Sequence, residues 1–100
     1  MKPSRYWLDA SRVKADVDAL PGNVRQRIKQ VIGALRDNPY PPEAQAMRDE
    51  WVEHWRIQVG DWRIVYRVYE NVLIIEIVGV GRKSGPDRGP TFCQGLRPRK

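Results

Sequence analysis

A chain of 100 residues with 41% hydrophobic content is one globular domain, large enough to bury a core without cross-links. No apolar run approaches the ~20 residues of a membrane span, the stretch holding Asp9 and Asp16 lacks the apolar centre of a signal peptide, and the lone Cys93 has no internal partner for a disulfide. These limits fit a reducing cytoplasm, and five of the six net positive charges fall in residues 82–100, either a solubilising end or a surface for a polyanion.

Arg5–Leu8 reads as a short strand. A helix is expected from about Asp9 to Leu20, with Val13, Val17 and Leu20 on one side, until Pro21-Gly22 breaks it. Asn23 suits the N-cap of a second helix. There Val24, Ile28, Val31, Ile32 and Leu35 recur at helical spacing, and Arg25, Arg27, Lys29 and Arg36 take the other side. Asn38-Pro39 ends it. The three-proline segment Pro39–Glu50 is expected to be a connecting loop.

From Glu53 the period falls to two. Trp55, Ile57 and Val59 alternate with His54, Arg56 and Gln58; Gly60-Asp61 suits a two-residue turn with glycine first. Trp62, Ile64, Tyr66 and Val68 then alternate with Arg63, Val65, Arg67 and Tyr69. A third strand over Val72–Val80 follows a two-residue turn at Glu70-Asn71. The expected fold is α+β: an N-terminal strand, and an αα-hairpin packed on one face of an antiparallel β-meander. Residues 1–83 form the domain, and residues 84–100 a basic, Gly/Pro-rich tail that cannot sustain a helix.

The first turn fixes the pairing: Val59 opposite Trp62, Gln58 opposite Arg63, Ile57 opposite Ile64, Arg56 opposite Val65. Opposed residues share a face. The helices should cover Trp55, Ile57, Val59, Trp62, Ile64 and Tyr66, leaving Arg56, Gln58, Arg63 and Arg67 on the open face. In the last strand Leu73, Ile75 and Ile77 should lie on the buried face and Glu76 on the polar one, because a slip by one residue would bury the carboxylate. Arg82 and Lys83 would then land beside Gln58 and Arg63. Like charges on neighbouring strands repel, so five polar groups gathered at one end of a sheet point to an anion site.

The chemistry of such a cluster is limited. One His and one Cys far apart make no metal constellation, Gly79-Val80-Gly81 lacks the rest of a phosphate-cradling fingerprint, and no cofactor is implied. His54 reads as a surface histidine about four residues from Gln58. Trp55 and Trp62 fall on core positions. RNA cleavage needs the 2′-hydroxyl deprotonated, the phosphorane dianion stabilised and the leaving 5′-oxygen protonated. Arginines can do the second, whereas Lys83, its pKa pushed down by Arg56, Arg63 and Arg82, is the member able to move protons.

The run Trp55-Arg-Ile-Gln-Val-Gly-Asp-Trp-Arg-Ile-Val-Tyr-Arg-Val68, with Ile75-Glu-Ile-Val-Gly-Val-Gly-Arg-Lys83, resembles the RelE/ParE superfamily of bacterial toxins over about residues 5–83. The resemblance implies the small α/β fold and, for the RelE-like branch, cleavage of mRNA in the ribosomal A site, with a cognate antitoxin as inhibitor. It assigns Arg56, Arg63 and Lys83 to the scissile phosphate, with Gln58, Arg67, Arg82 and Phe92 as further RNA-binding candidates. Gln58 stands where that branch has a second lysine. The branch also has a tyrosine after the basic pair; here Phe92 can stack on a base but cannot move a proton. A DNA gyrase inhibitor of the ParE type and an inactive member that keeps antitoxin or RNA binding are the alternatives.

Overall fold

The computed structural model describes residues 6–82. Its elements are β1 (Trp7–Asp9), α1 (Lys14–Asp18), α2 (Gly22–Ala34), β2 (Gln45–Ala46), β3 (His54–Val59), β4 (Trp62–Tyr69) and β5 (Ile74–Arg82). Asp9 Oδ1 accepts from the backbone N–H and the hydroxyl of Ser11, at 3.1 and 2.7 Å, and so starts a 3-10 turn over Ser11–Val13 that leads into α1. The expected Asp9–Leu20 helix is therefore shorter and split. The second helix begins before Asn23, with Pro21 as its cap residue; the Pro21 carbonyl accepts from Arg25 N at 2.8 Å. Proline's fixed φ presets the chain for the helix, and no side-chain cap is made.

The five strands run in the order β1-β5-β4-β3-β2. β1 lies parallel to β5, and the remaining neighbours are antiparallel. The helices cover one face. Val13, Val17, Ile28, Ile32 and Leu35 pack there with Ile57, Val59, Ile64, Tyr66, Ile75 and Ile77, all below 9% exposure. Burying each such side chain contributes roughly 1.5–3 kcal/mol, so the 3.6- and 2-residue patterns meet in one core. Tyr66 crosses this core and donates its hydroxyl to the Pro39 carbonyl at 2.7 Å, fixing the exit of α2 to the sheet.

The β3–β4 pairing is the expected one: Val59 faces Trp62, Gln58 faces Arg63, Ile57 faces Ile64 and Arg56 faces Val65. Gly60, at φ 60°, takes the left-handed conformation that the first turn position demands. The β4–β5 connection differs. Tyr69 pairs with Ile74, so the turn holds four residues, Glu70–Leu73, with Leu73 itself at φ 55°. Glu70 is fixed there by the hydroxyls of Tyr6 (2.8 Å) and Tyr40. Because the slip is by two residues, Ile75 and Ile77 still reach the core and Glu76 stays on the open side, now opposite Arg67.

A second departure matters more for the site. Tyr66 pairs with Ile77 but Val65 pairs with Gly79, leaving Val78 as the extra residue of a β-bulge. Val78 is 1% exposed, packed on the open face against Val65, Met47 and Trp51. Beyond the bulge the alternation of β5 is inverted.

Candidate functional site

The pocket on the open face lies at the Gly60 end of the sheet. Its lining is Glu43, Gln45, Arg56, Gln58 and Arg63, around a hollow of about 80 Å³. That is room for a phosphate-sized group, since a single water needs ~10–15 Å³ on the same measure. β3 supplies Arg56 and Gln58 from alternate positions, and β4 supplies Arg63 directly opposite Gln58. Arg63 is only 2% exposed, whereas Arg56 is half-buried and Gln58 exposed. A guanidinium buried this far is stable only if its donors are satisfied. Every buried side-chain nitrogen and oxygen among the described residues does have a hydrogen-bond partner.

The other two lining residues come from the segment expected to be plain loop. Gln45 belongs to β2, paired with Arg56, and Met47 N donates to the His54 carbonyl at 3.0 Å to extend the contact. The Gln45 Oε1 accepts from Arg56 Nε at 3.3 Å and Nη2 at 3.0 Å, which orients the guanidinium. Gln58 Nε2 donates to the Gly60 carbonyl at 3.1 Å, tying the pocket wall to the turn. Glu43, just ahead of β2, places an exposed carboxylate at the pocket. Its negative charge, after burial and Tyr40, helps to push the Tyr66 hydroxyl's pKa up. The arrangement holds two cations, two amides and one anion: a site for an anionic group with a proton acceptor beside it.

Of the residues singled out from the sequence, the fold brings Arg56, Gln58 and Arg63 together. Arg82 is not with them. The bulge places it opposite Trp62, on the row of the helix-covered face, and puts Gly81 opposite Arg63 instead. Its expected position beside Gln58 and Arg63 is thus corrected by one inserted residue. Lys83 and Phe92 lie outside the described residues.

Arg67 belongs to the far end of the same face, opposite both His54 and Glu76. Its guanidinium donates to Glu53 Oε2 at 3.0 Å and lies 4.7 Å from the centre of the Tyr69 ring, and the Tyr69 hydroxyl donates to Glu76 Oε1 at 3.1 Å. His54, expected at the surface, is 1% exposed. The Trp51 ring meets it edge to face, and its Nδ1 lies 3.3 Å from the Val52 carbonyl. Burial holds its pKa below the ordinary histidine value and Arg67 adds to that, against the opposing pull of the Val52 and Trp51 carbonyls and Glu76.

Glu43 and Gln45 were the residues missed in the sequence. A two-residue strand inside a proline-rich stretch has no measurable alternation; the only hint was that Glu43 and Gln45 are spaced by two. Among the described residues no three His, Cys, Asp or Glu side chains gather as metal ligands, and no helix is long and apolar enough to cross a membrane.

Residues 10–85 match the family model described as the ParE toxin of the type II toxin–antitoxin system parDE. The chain belongs to the ParE toxin family. The match covers Arg56, Arg63 and Lys83 and stops short of Phe92. Solved structures share the fold of this ParE family member within the wider RelE/ParE superfamily. A chain of the toxin–antitoxin complex RelBE2 from Mycobacterium tuberculosis superposes with a TM-score of 0.69 at 19% identity, covering 84% of this chain and 98% of its own. The isolated E. coli RelE toxin gives 0.68 at 19% identity, with coverages of 82% and 88%. A chain of the archaeal RelE–RelB complex from Pyrococcus horikoshii gives 0.62 at 22%, with coverages of 78% and 94%. A search of curated proteins returned no match.

Proposed function

We propose that this toxin-family chain is a ribosome-dependent mRNA endonuclease that inhibits translation in the cytoplasm and is neutralised by a cognate antitoxin. The observation that carries this is the pocket in which Arg56 and Arg63 converge with Gln45 and Gln58 on a phosphate-sized hollow. The fold neighbours add support, since several are RelE toxins crystallised with RelB antitoxins.

In this mechanism the phosphate between two nucleotides enters the hollow. The Glu43 carboxylate accepts the proton of the 2′-hydroxyl, and the 2′-oxygen attacks phosphorus in line with the departing 5′-oxygen. Arg56 and Arg63 donate hydrogen bonds to the phosphoryl oxygens as their charge grows in the phosphorane. The 5′-oxygen leaves and takes a proton from Lys83, the one readily titratable cation among the basic residues singled out in the sequence. The products are a 2′,3′-cyclic phosphate and a 5′-hydroxyl. Arg67 and Arg82 stand away from the scissile phosphate; Arg67 holds the far end of the sheet.

Primer extension on one message, translated and untranslated, tests the proposal. Cleavage within codons of the translated message only is the expected result. Uncut message at toxin levels that arrest growth would refute it. The ParE-type match favours a second reading, gyrase inhibition, which predicts loss of supercoiling in a purified gyrase assay without ribosomes.

A further inference from the structure

Between the pocket and the His54 end of the open face stands an aromatic residue that the mechanism does not use. Val65 lies directly across from Arg56 and joins Val78 in a small apolar cluster on the open face, separate from the main core. Met47 and Trp51 pack onto that cluster, so the Trp51 ring lies on the open face between the Arg56–Val65 pair and His54. Val65 and Val78 are 0% and 1% exposed, whereas Trp51 is only half-buried. Its ring also packs edge to face on His54, with centroids 5.2 Å apart and planes at 83°.

The backbone that carries Trp51 is held in an unfavourable conformation. Asp49, at φ 59°, and Glu53, at φ 75°, bracket it, both in the left-handed region that side-chain-bearing residues avoid. Hydrogen bonds from Trp51 N to the Arg48 carbonyl (3.0 Å) and from Val52 N to the Asp49 carbonyl (3.1 Å) close the turn. Two strained residues serve to set one tryptophan on the open face. Strain of this kind collects where a ligand is contacted.

We propose that Trp51 is a nucleobase platform: the base of a nucleotide flanking the phosphate held by Arg56 and Arg63 stacks on its indole. The proposal rests on the RNA reading of the pocket and names the second half of the recognition. A nucleotide carries a negative phosphate and a flat π-face separated by one ribose. The sheet offers two guanidinium groups and an indole packed on His54, which lies two residues along β3 from Arg56 (roughly 7 Å). Stacking of this kind tolerates any base, so Trp51 would set affinity and position without setting sequence.

The test is a binding cycle with the full chain and an RNA trinucleotide made uncleavable by a 2′-deoxy substitution at the central position, followed by NMR. The Trp51 indole N–H signal is identified as the one lost in Trp51→Phe. It should shift on titration. Trp51→Leu should weaken binding about 5- to 150-fold, and Trp51→Phe much less. A trinucleotide lacking the flanking base should bind wild type as weakly as the complete one binds Trp51→Leu, with no further loss when both are combined. If Trp51→Leu weakens complete and abasic trinucleotides equally, Trp51 is only a cover for Val65 and Val78 and the proposal is overturned. Should Trp51→Leu not fold, an unmoved wild-type indole signal at saturating trinucleotide overturns it as well. Arg63→Ala separates the two ideas: if it abolishes binding while Trp51 shows no coupling to the base, the phosphate site stands and the platform falls. If Arg63→Ala binds as wild type does, both fall.

Discussion

The two ends of the open sheet face use the same residue type for opposite purposes. At the far end, Arg67 sits across from a carboxylate and a buried histidine, donates to Glu53 and covers Tyr69. At the Gly60 end, Arg56 is oriented by the neutral amide of Gln45, and Arg56 and Arg63 share their hollow with a single carboxylate, Glu43. Arginine on a sheet therefore says little until its neighbours are known. The far-end guanidinium braces the sheet against Tyr69 and Glu53, whereas the two at the Gly60 end line a hollow that suits an anionic group.

Substitutions at each end should separate these purposes. The largest expected effect is at Glu43. Glu43→Gln keeps the size and removes the proton acceptor, so cleavage of a translated message should fall about 10²- to 10⁴-fold with an unchanged unfolding midpoint; unaltered cleavage would remove Glu43 from the mechanism.

The far end should respond in stability instead. Arg67→Ala removes a mostly buried guanidinium, 13% exposed, from contact with Tyr69 and Glu53. Loss of its hydrogen bonds should cost about 1–3 kcal/mol in urea unfolding. Glu53→Ala should cost at most about 0.5 kcal/mol, because its carboxylate is 69% exposed and the pair is screened.

His54 gives that end a pH dependence. Its folded pKa is depressed, chiefly by burial, so the unfolded chain binds the proton more readily. The stabilisation is fully present above the unfolded value of about 6.5 and is lost as pH falls from there through the folded pKa, at up to about 1.4 kcal/mol per pH unit. Urea midpoints measured across that window should fall with acidity in wild type and less steeply in His54→Leu. An identical slope in the two would contradict a buried neutral histidine.

The sequence showed the β3–β4 pairing well and the elements packed around it poorly. Strict alternation and a Gly60-Asp61 turn define one pairing, so the sequence alone groups Arg56, Gln58 and Arg63. What escaped depended on single residues without a periodic signal. Val78 inserts as a bulge and moves Arg82 away, although Val78 reads as an ordinary strand residue. β2 is two residues long, so Gln45 and Glu43 looked like loop. His54 packs against Trp51, which reaches it through a turn bracketed by Asp49 and Glu53, two left-handed residues that are neither glycine nor asparagine. Long-range packing decided each of these, and alternation carries no record of it.

In the proposed mechanism the phosphate is held by the arginines of the Gly60 end and not by the arginine of the far end. Primer extension on a translated message with Arg63→Ala and Arg67→Ala, both assayed well below their unfolding midpoints, tests it most directly. Arg63→Ala should cut at least about 100-fold more slowly, a loss of about 3 kcal/mol in transition-state stabilisation, while Arg67→Ala cuts at the wild-type rate. Equal loss in both variants, or loss in Arg67→Ala alone, would contradict the assignment.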